Sequence, residues 1–466
     1  MTRAEQLAQY VVQARYEDMD AETRRELKIR ILDSLGCALG AMRGEPIRLI
    51  REHLKDFGGG ALCTLVGFGK AAPDRAAFYN SALVRYLDFN DSYLAKGETC
   101  HPSDNLGAVL ATAEYAGRSG RDLMTALAVA YQVQCRLSDA APVRAKGFDH
   151  TTQGSYALAA GISKALGLDR ERTVNALAIC GTAFNALRVS RTGALSHWKG
   201  LAFPNTAFCC THGTFLAARG ITGPPEVFEG NKGFMEAIAG PFEIDWSREG
   251  FDRVGRTILK KYNAEVHSQA AIEGVLELKQ KHGFRPREVE RIEIDIFDVA
   301  YHIIGGGEEG DKTVVRTKEE ADHSLPYLVA VALLDDGVMP AQFTFERIVR
   351  SDVQELLRKV KVREKPEYSR RFPEEHACAV SVFLKSGQTV RKEKTEYEGF
   401  HSHRMSWDAA VQKFTRLSET AVDTNLRQRL VDAVARLDEL RTADLARLVA
   451  QVPDADEGER RVKACL

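Results

Sequence analysis

The sequence predicts a mainly α protein, with a large all-helical domain built from both chain ends and an inserted, smaller α+β lid domain. Three observations predict it. Apolar residues recur at helical spacing from the N-terminus to about residue 257, the spacing turns to strand period near residue 285, and it returns to helical after "SWDAAVQKF". A chain of 466 residues is too long for one ordinary core, so two domains are the default. The expected boundaries are 1–257 plus 402–466 for the helical domain and 258–401 for the lid, with a cleft where the two meet.

The elements follow in order. "MTRAEQLAQYVVQARYEDMD" is an amphipathic helix with acids in it, without the apolar core or cleavage site of a signal peptide. "DAETRRELKIRILDSLGCALGAM" starts at a capping Asp20 and repeats apolar residues at Leu27, Ile31, Leu35 and Leu39. "GGGALCTLVGFGK" lacks the phosphate-loop spacing, and Ala follows Lys70, so it reads as a surface turn. "SDNLGAVLATAEYAG" is expected to start at Ser103 and end at Gly117, with "GRDLMTALAVAYQVQCRL" directly after it. "GSYALAAGISKALGLD" ends at Gly167, and Asp169 caps the helix after it. Small residues crowd these helices, so their axes can approach closely. "VERIEIDIF" and "KVKVRE" alternate as strands, and "ACAVSVFLKSGQTVRKEKTEY" is a hairpin turning at Ser386-Gly387. Helices are expected at about 268–282, 322–336 and 351–358, and again from "SWDAAVQKF" to the end.

Composition excludes several functions. Lys plus Arg (64) balances Asp plus Glu (65), which argues against a nucleic-acid or polybasic membrane partner. No apolar stretch is long enough to span a bilayer, and the expected location is cytoplasmic. The nine cysteines are scattered, with no C-x-x-C, which suits buried reduced thiols rather than disulfides, an iron–sulfur cluster or a cysteine-ligated metal. No cofactor and no metal are expected.

Four polar clusters carry candidate chemistry. "LDFNDSYLAKGETCHPSDN" places Asp88, Asp91, Ser92 and His101 between two apolar runs. "GFDHTTQG" puts His150 directly before a helix, and "RVSRTGALSHWKG" gathers Arg188, Arg191, His197 and Lys199 in a polar loop. "LKKYNAEVHSQ" sets Lys260, Lys261, Glu265 and His267 at the expected domain boundary. Each has a structural alternative: Asp88 or Asp91 as a helix cap, His150 as a core histidine, the cations as a solvated face. Taken together, cations, acids and imidazoles at helix ends are what a polycarboxylate site needs.

These segments resemble the MmgE/PrpD family, whose members include 2-methylcitrate dehydratases, cis-aconitate decarboxylases and an iminodisuccinate epimerase. The resemblance runs from "ILDSLGCALGA" through "YLDFNDSY", "FDHTTQGSYALAAGISKALGL", "RTGALSHWKGLAFPNTA" and "KKYNAEVHSQAAIEG" to "ADHSLPYLVAVALLDDG", and is greatest to the MmgE-like 2-methylcitrate dehydratases. It implies a homodimer without metal. It also implies catalytic roles for Asp88, His101 and His150, and substrate-binding roles for Ser92, Lys199 and Lys260; Arg188, Arg191, Glu265 and His267, from the same polar clusters, are expected to bind substrate as well. The decarboxylase branch carries threonine at the position of Ser92 and histidine at that of Glu265, so Glu265 favours dehydration. The expected reaction is metal-free dehydration of a citrate-like β-hydroxy tricarboxylate. Decarboxylation of cis-aconitate, epimerisation of an amino-dicarboxylate, and a catalytically inactive polyanion-binding scaffold are the alternatives.

Overall fold

A computed structural model of the chain describes residues 1–192 and 195–455. It is 59% helical with only small sheets, a mainly α fold. It divides into two compact units, one of Met1–Ser190, Trp198–Ile258 and the segment from Ser406 onward, the other of Arg191–His197 and Leu259–Met405.

The first unit contains helices α1 (Arg3–Gln13), α2 (Ala21–Ala41), α3 (Glu45–Phe57), α4 (Pro73–Tyr86), α5 (Leu106–Tyr115), α6 (Gly120–Ala140), α7 (Thr151–Leu166), α8 (Arg170–Ala183), α9 (Trp198–Ala218) and α10 (Asp252–Arg256). Asp20 and Asp169 accept backbone N–H groups at the starts of α2 and α8, and Gly167 closes α7 at φ +72°, as their sequence positions predict. Small residues let the helices approach. A Cβ on Gly107 of α5 would lie 2.4 Å from the Ser81 backbone nitrogen on α4, and one on Gly161 of α7 would meet the Ala126 carbonyl of α6 at 3.1 Å. Through such contacts α4 packs on α5 and α9, and α7 on α6, α8 and α9.

The C-terminal helices Trp407–Ser418, Thr424–Ala435 and Thr442–Val449 complete this core. Lys413 lies 2.6 Å from Asp33 of α2 and donates to the Phe89 carbonyl at 2.8 Å, while the Gly120 N–H donates to the Leu440 carbonyl at 2.7 Å. The residues after 455, where helix was also expected, lie outside the described residues.

Three local expectations change. Ser103 does not cap α5. It sits in a 3-10 turn, Pro102–Asn105, and α5 begins at Leu106, because the Ser103 side chain is engaged within the preceding loop. "GGGALCTLVGFGK" is more than a surface turn, since it forms the hairpin β1 (Cys63–Leu65) and β2 (Gly69–Ala71), with β1 buried. A second hairpin, β3 (Tyr93–Ala95) with β4 (Glu98–Cys100), means that the helical body is not helical throughout. The stretch between α9 and α10 is largely irregular, held by aromatic contacts such as Phe228 stacked on Tyr156 at 4.5 Å.

In the second unit, α11 (Gln269–His282) packs on a sheet of β5 (Val289–Ile296), β6 (Val360–Glu364), β7 (Cys378–Leu384) and β8 (Thr389–Lys394), in the order β6-β5-β7-β8. β5 pairs with β6 in parallel, Ile292 opposite Val360, and the other pairs are antiparallel. Ile292, Ile294 and Ile296 are buried while the charged residues between them are less so, which is the alternation the sequence shows. The β7–β8 turn falls at Ser386-Gly387, with Gly387 at φ +90°. Among the described residues no helix is long and apolar enough to cross a membrane, and the eight cysteines are free thiols.

Candidate functional site

The site begins where α4 ends. Leu87 is the C-cap, and Asp88 follows at φ +54° with its N–H on the Arg85 carbonyl at 3.0 Å. This left-handed position after a helix usually belongs to glycine, although aspartate tolerates it better than most residues. It also sets a carboxylate at the negative end of the helix dipole. Lys199 shows the opposite misplacement. The sequence suggested a loop, but Lys199 lies in the first turn of α9, a cation at the positive end of that dipole. Helices α4 and α9 pack together, and the two buried charges meet with Nζ 3.6 Å from Asp88 Oδ2. Each charge stands where its own helix disfavours it.

Arg85 joins the cluster together, and sequence reasoning missed it. It is 3% exposed on the last turn of α4. Nη1 donates to Asp88 Oδ1 at 2.5 Å and to Asn90 Oδ1 at 3.4 Å, Nη2 lies 3.3 Å from His101 Nε2, and Nε is 3.7 Å from Asp104 Oδ2. Asn90 in turn donates to Ser103 Oγ and Asp104 Oδ1, each at 2.8 Å. The available signal was the spacing, a cation three residues before Asp88 at the end of the apolar run Ala82-Leu83-Val84.

Neither Asp88 nor Asp91 is a helix N-cap. Asp91 is fully buried, and its Oδ1 accepts the Ser103 N–H at 3.0 Å and the Ser103 hydroxyl at 2.6 Å. Burial pushes its carboxyl above the ordinary carboxylate range, against the Ser103 hydrogen bonds that hold it down. The β3–β4 hairpin explains how residues nine apart in sequence meet. It pairs Tyr93 with Cys100 and so returns His101 to Ser92, whose Oγ is 3.1 Å from His101 Nδ1. The Asp91 carbonyl lies 2.8 Å from the same nitrogen.

His150 occupies the N-cap position of α7. Its ring meets that of His101 edge-on at 5.3 Å and stacks on Phe203 of α9 at 6.1 Å, and Nε2 is 3.7 Å from Asp149 Oδ1. Gly154, one turn further along α7, admits Phe203, since a Cβ there would touch the ring at 2.5 Å. Asp88, Ser92, His101, His150 and Lys199 thus come together within the first unit, in a shell of buried polar side chains.

The remaining candidates are placed differently. Arg188 is half-buried in the turn Arg188–Arg191, and its N–H donates to the Gly147 carbonyl at 2.9 Å. Arg191, at the end of that turn, is buried, and His197 is exposed. In the second unit Lys260 is 1% exposed. Glu265 accepts the His267 N–H at 2.7 Å and so caps the short turn Val266–Ser268. The His267 ring is enclosed by Phe297, Phe372 and His376 at 5.3, 5.6 and 5.7 Å. A pair that the sequence reading did not single out lies beside Glu265. The Glu265 N–H donates to the Asp322 carbonyl at 3.1 Å, and buried Asp322 holds His323 Nδ1 at 2.5 Å and Lys318 Nζ at 2.7 Å.

Comparison with known proteins places this geometry. The model of the MmgE/PrpD N-terminal domain matches residues 5–247, and that of the MmgE/PrpD C-terminal domain matches 262–439. The chain belongs to the MmgE/PrpD family. The Arg85–Asp88–His101–His150–Lys199 cluster lies wholly within the match to the N-terminal domain. The chain is 26% identical over 457 residues to a 2-methylcitrate dehydratase of Escherichia coli K12, covering 88% of this chain and 89% of that one. It is 26% identical over 463 residues to a cis-aconitate decarboxylase of Mus musculus, covering 94% and 91%. A 2-methylcitrate dehydratase of Cupriavidus necator is 27% identical over 407 residues, with 80% and 81% covered.

Proposed function

We propose that this MmgE/PrpD protein is a hydro-lyase that dehydrates a citrate-like β-hydroxy tricarboxylate, of the 2-methylcitrate to 2-methylaconitate type. The observation that carries the reading is the buried meeting of Asp88, His101, His150, Arg85 and Lys199 in one cluster. Such a dehydration needs a base for the proton α to a carboxylate, an acid for the departing hydroxyl, and cations for the enediolate-like charge between them. Asp88, His101 and His150 are the groups able to move protons. Lys199 supplies a cation within this cluster, and Arg188, Arg191 and Lys260 are further cationic candidates for substrate binding. Low-dielectric surroundings strengthen each of these interactions. Side chains alone supply the acid in this reading, which also carries a cytoplasmic homodimer.

The cis-aconitate decarboxylase similarity supports a second reading, in which a related carbanion forms by loss of carbon dioxide. Glu265 speaks against it, since the decarboxylase branch has histidine there. One experiment separates the two. Purified protein is incubated with 2-methylcitrate, citrate and simpler hydroxy diacids while ultraviolet absorbance of a conjugated alkene is followed. Carbon dioxide release from cis-aconitate is measured in parallel. Alkene formation that survives exhaustive chelation is the expected result. Carbon dioxide release without dehydration of any hydroxy acid overturns the dehydratase reading, and activity lost with a metal and restored by it overturns the metal-free mechanism.

A further inference from the structure

His101 has its two ring nitrogens fixed by partners of opposite kind. Nδ1 lies 2.8 Å from the Asp91 carbonyl oxygen, which can only accept, so Nδ1 carries the proton. Nε2 lies 3.3 Å from Arg85 Nη2, which can only donate, so Nε2 offers its lone pair. Both conditions hold only for the neutral Nδ1–H tautomer. An imidazolium would set an N–H against a guanidinium N–H.

We propose that Arg85 is a positioning residue that holds His101 neutral as the Nδ1–H tautomer and Asp88 as a carboxylate, so that His101 is not the resting acid of the reaction. Its kinetic consequence rests on the lyase reading above, whereas its structural consequence does not. The same guanidinium binds Asp88 through Nη1 at 2.5 Å, with Lys199 at 3.6 Å, and opposite charges favour the ionised carboxylate. Ser92 gains a role as well. With the proton on Nδ1, Ser92 Oγ at 3.1 Å accepts from the ring, and its own O–H is directed to another acceptor, such as a substrate oxygen.

The buried cluster in which His101 stands draws charged groups from several elements. Helix α4 gives Arg85, and the loop after it gives Asp88 and Asp91. The 3-10 turn gives Asp104, the start of α7 gives Asp149 and His150, and α9 gives Lys199. Helix α2 contributes Arg30 and Asp33, which act on Asp91. Among these, Arg85 makes the charged contact with the ring of His101 that fixes its tautomer.

The test is spectroscopic first. Full-length protein labelled with 15N-histidine is examined by magic-angle-spinning NMR, and the His101 signals are assigned by their loss in His101→Gln. The expected spectrum has one protonated and one bare ring nitrogen, and it persists to about pH 6, where an ordinary histidine of pKa about 6.5 is mostly charged. In Arg85→Lys, which keeps a cation but cannot bridge both partners, His101 is expected to become charged over that range. An Nε2–H tautomer, or a charged His101 in the parent at about pH 6, overturns the proposal whatever the activity. With substrate, Arg85→Lys is expected to lose about 10²-fold in kcat through misplacement and to gain an ionisation near pH 6.5 in its kcat/KM profile. A purely structural arginine would lower kcat and add no ionisation, and that outcome also overturns the proposal. If the parent turns over no citrate-like acid, the lyase reading falls while the spectrum still decides the role of Arg85.

Discussion

Each unit contains a buried pair of histidines, and the two pairs differ in the balance of charged and aromatic neighbours. His101 and His150, 5.3 Å apart in the first unit, stand among an arginine, a lysine and several carboxylates. His267 and His376, 5.7 Å apart in the second, are set mainly among the rings of Phe297, Phe372, Tyr397 and Phe400, with Glu265 Oε1 3.9 Å from His267 Nε2. All four rings are at most 7% exposed, so burial does not separate them. Their neighbours do. A ring among charges and hydrogen-bonding groups is held in a definite protonation state and can exchange protons with its neighbours, whereas a ring among aromatic faces mainly fills space.

The largest expected effect tests the first pair. His150→Gln keeps a hydrogen-bonding side chain at the start of α7 but cannot titrate, and kcat is expected to fall by about 10²–10⁴-fold. Turnover near the parent value would make His150 a core histidine and erase the contrast between the pairs. Asp88→Asn is expected to lose a similar factor in kcat. It is also expected to lose stability, because it weakens the anchor of a buried guanidinium, and breaking a buried ion pair costs about 3–5 kcal/mol. Thermal melts beside kinetics read both effects. An unchanged melting temperature would mean that Asp104 and His101 suffice to hold Arg85. Lys199→Met should act more gently, removing a cation while keeping an apolar stem in the first turn of α9. A loss of about 10–10²-fold in kcat/KM, carried mainly by KM, is expected if it binds a substrate carboxylate.

The loop residues of the first pair were legible because their spacing is local. Asp88, Ser92 and His101 sit in one polar run between apolar helices, and His150 stands where a helix opens. Arg85 was not legible. An arginine inside a helix usually faces water, and no local pattern says that four partners, from the loop after α4 and from the 3-10 turn with its cap, will enclose it. Lys199 was recognised but misplaced by the apparent continuity of the polar run before it; Trp198 already starts α9. In the second unit the strand alternation of Ile292, Ile294 and Ile296 was plain, because one face of that strand is buried. The ring box around His267 is assembled from residues far apart in sequence, at 267, 297, 372 and 376, which no window of local periodicity spans.

The smallest expected effect belongs to that box, and it is a matter of stability and not of rate. Among the described residues neither ring nitrogen of His376 has a hydrogen-bond partner. Burial holds its imidazole well below the ordinary histidine range, with the nearby His267 and His401 acting in the same direction. Between that lowered value and about pH 6.5 the unfolded chain takes up a proton that the native state refuses. The unfolded state then binds more protons, so this contribution to stability is fully present above about pH 6.5 and is lost as the pH falls, by at most about 1.4 kcal/mol per pH unit. His376→Phe removes the titrating group and keeps a ring in contact with Phe297, Tyr397 and Phe400. Replacing an unsatisfied polar ring by an apolar one of similar shape is itself close to neutral or stabilising. Melting temperatures of parent and variant are therefore expected to lie close together at about pH 8 and to diverge by about 1–2 °C in favour of the variant at about pH 5.5, with kcat unchanged. A gap that stays constant with pH would assign the difference to packing alone. A fall in kcat would place His376 with the first pair, among the histidines that work on substrate.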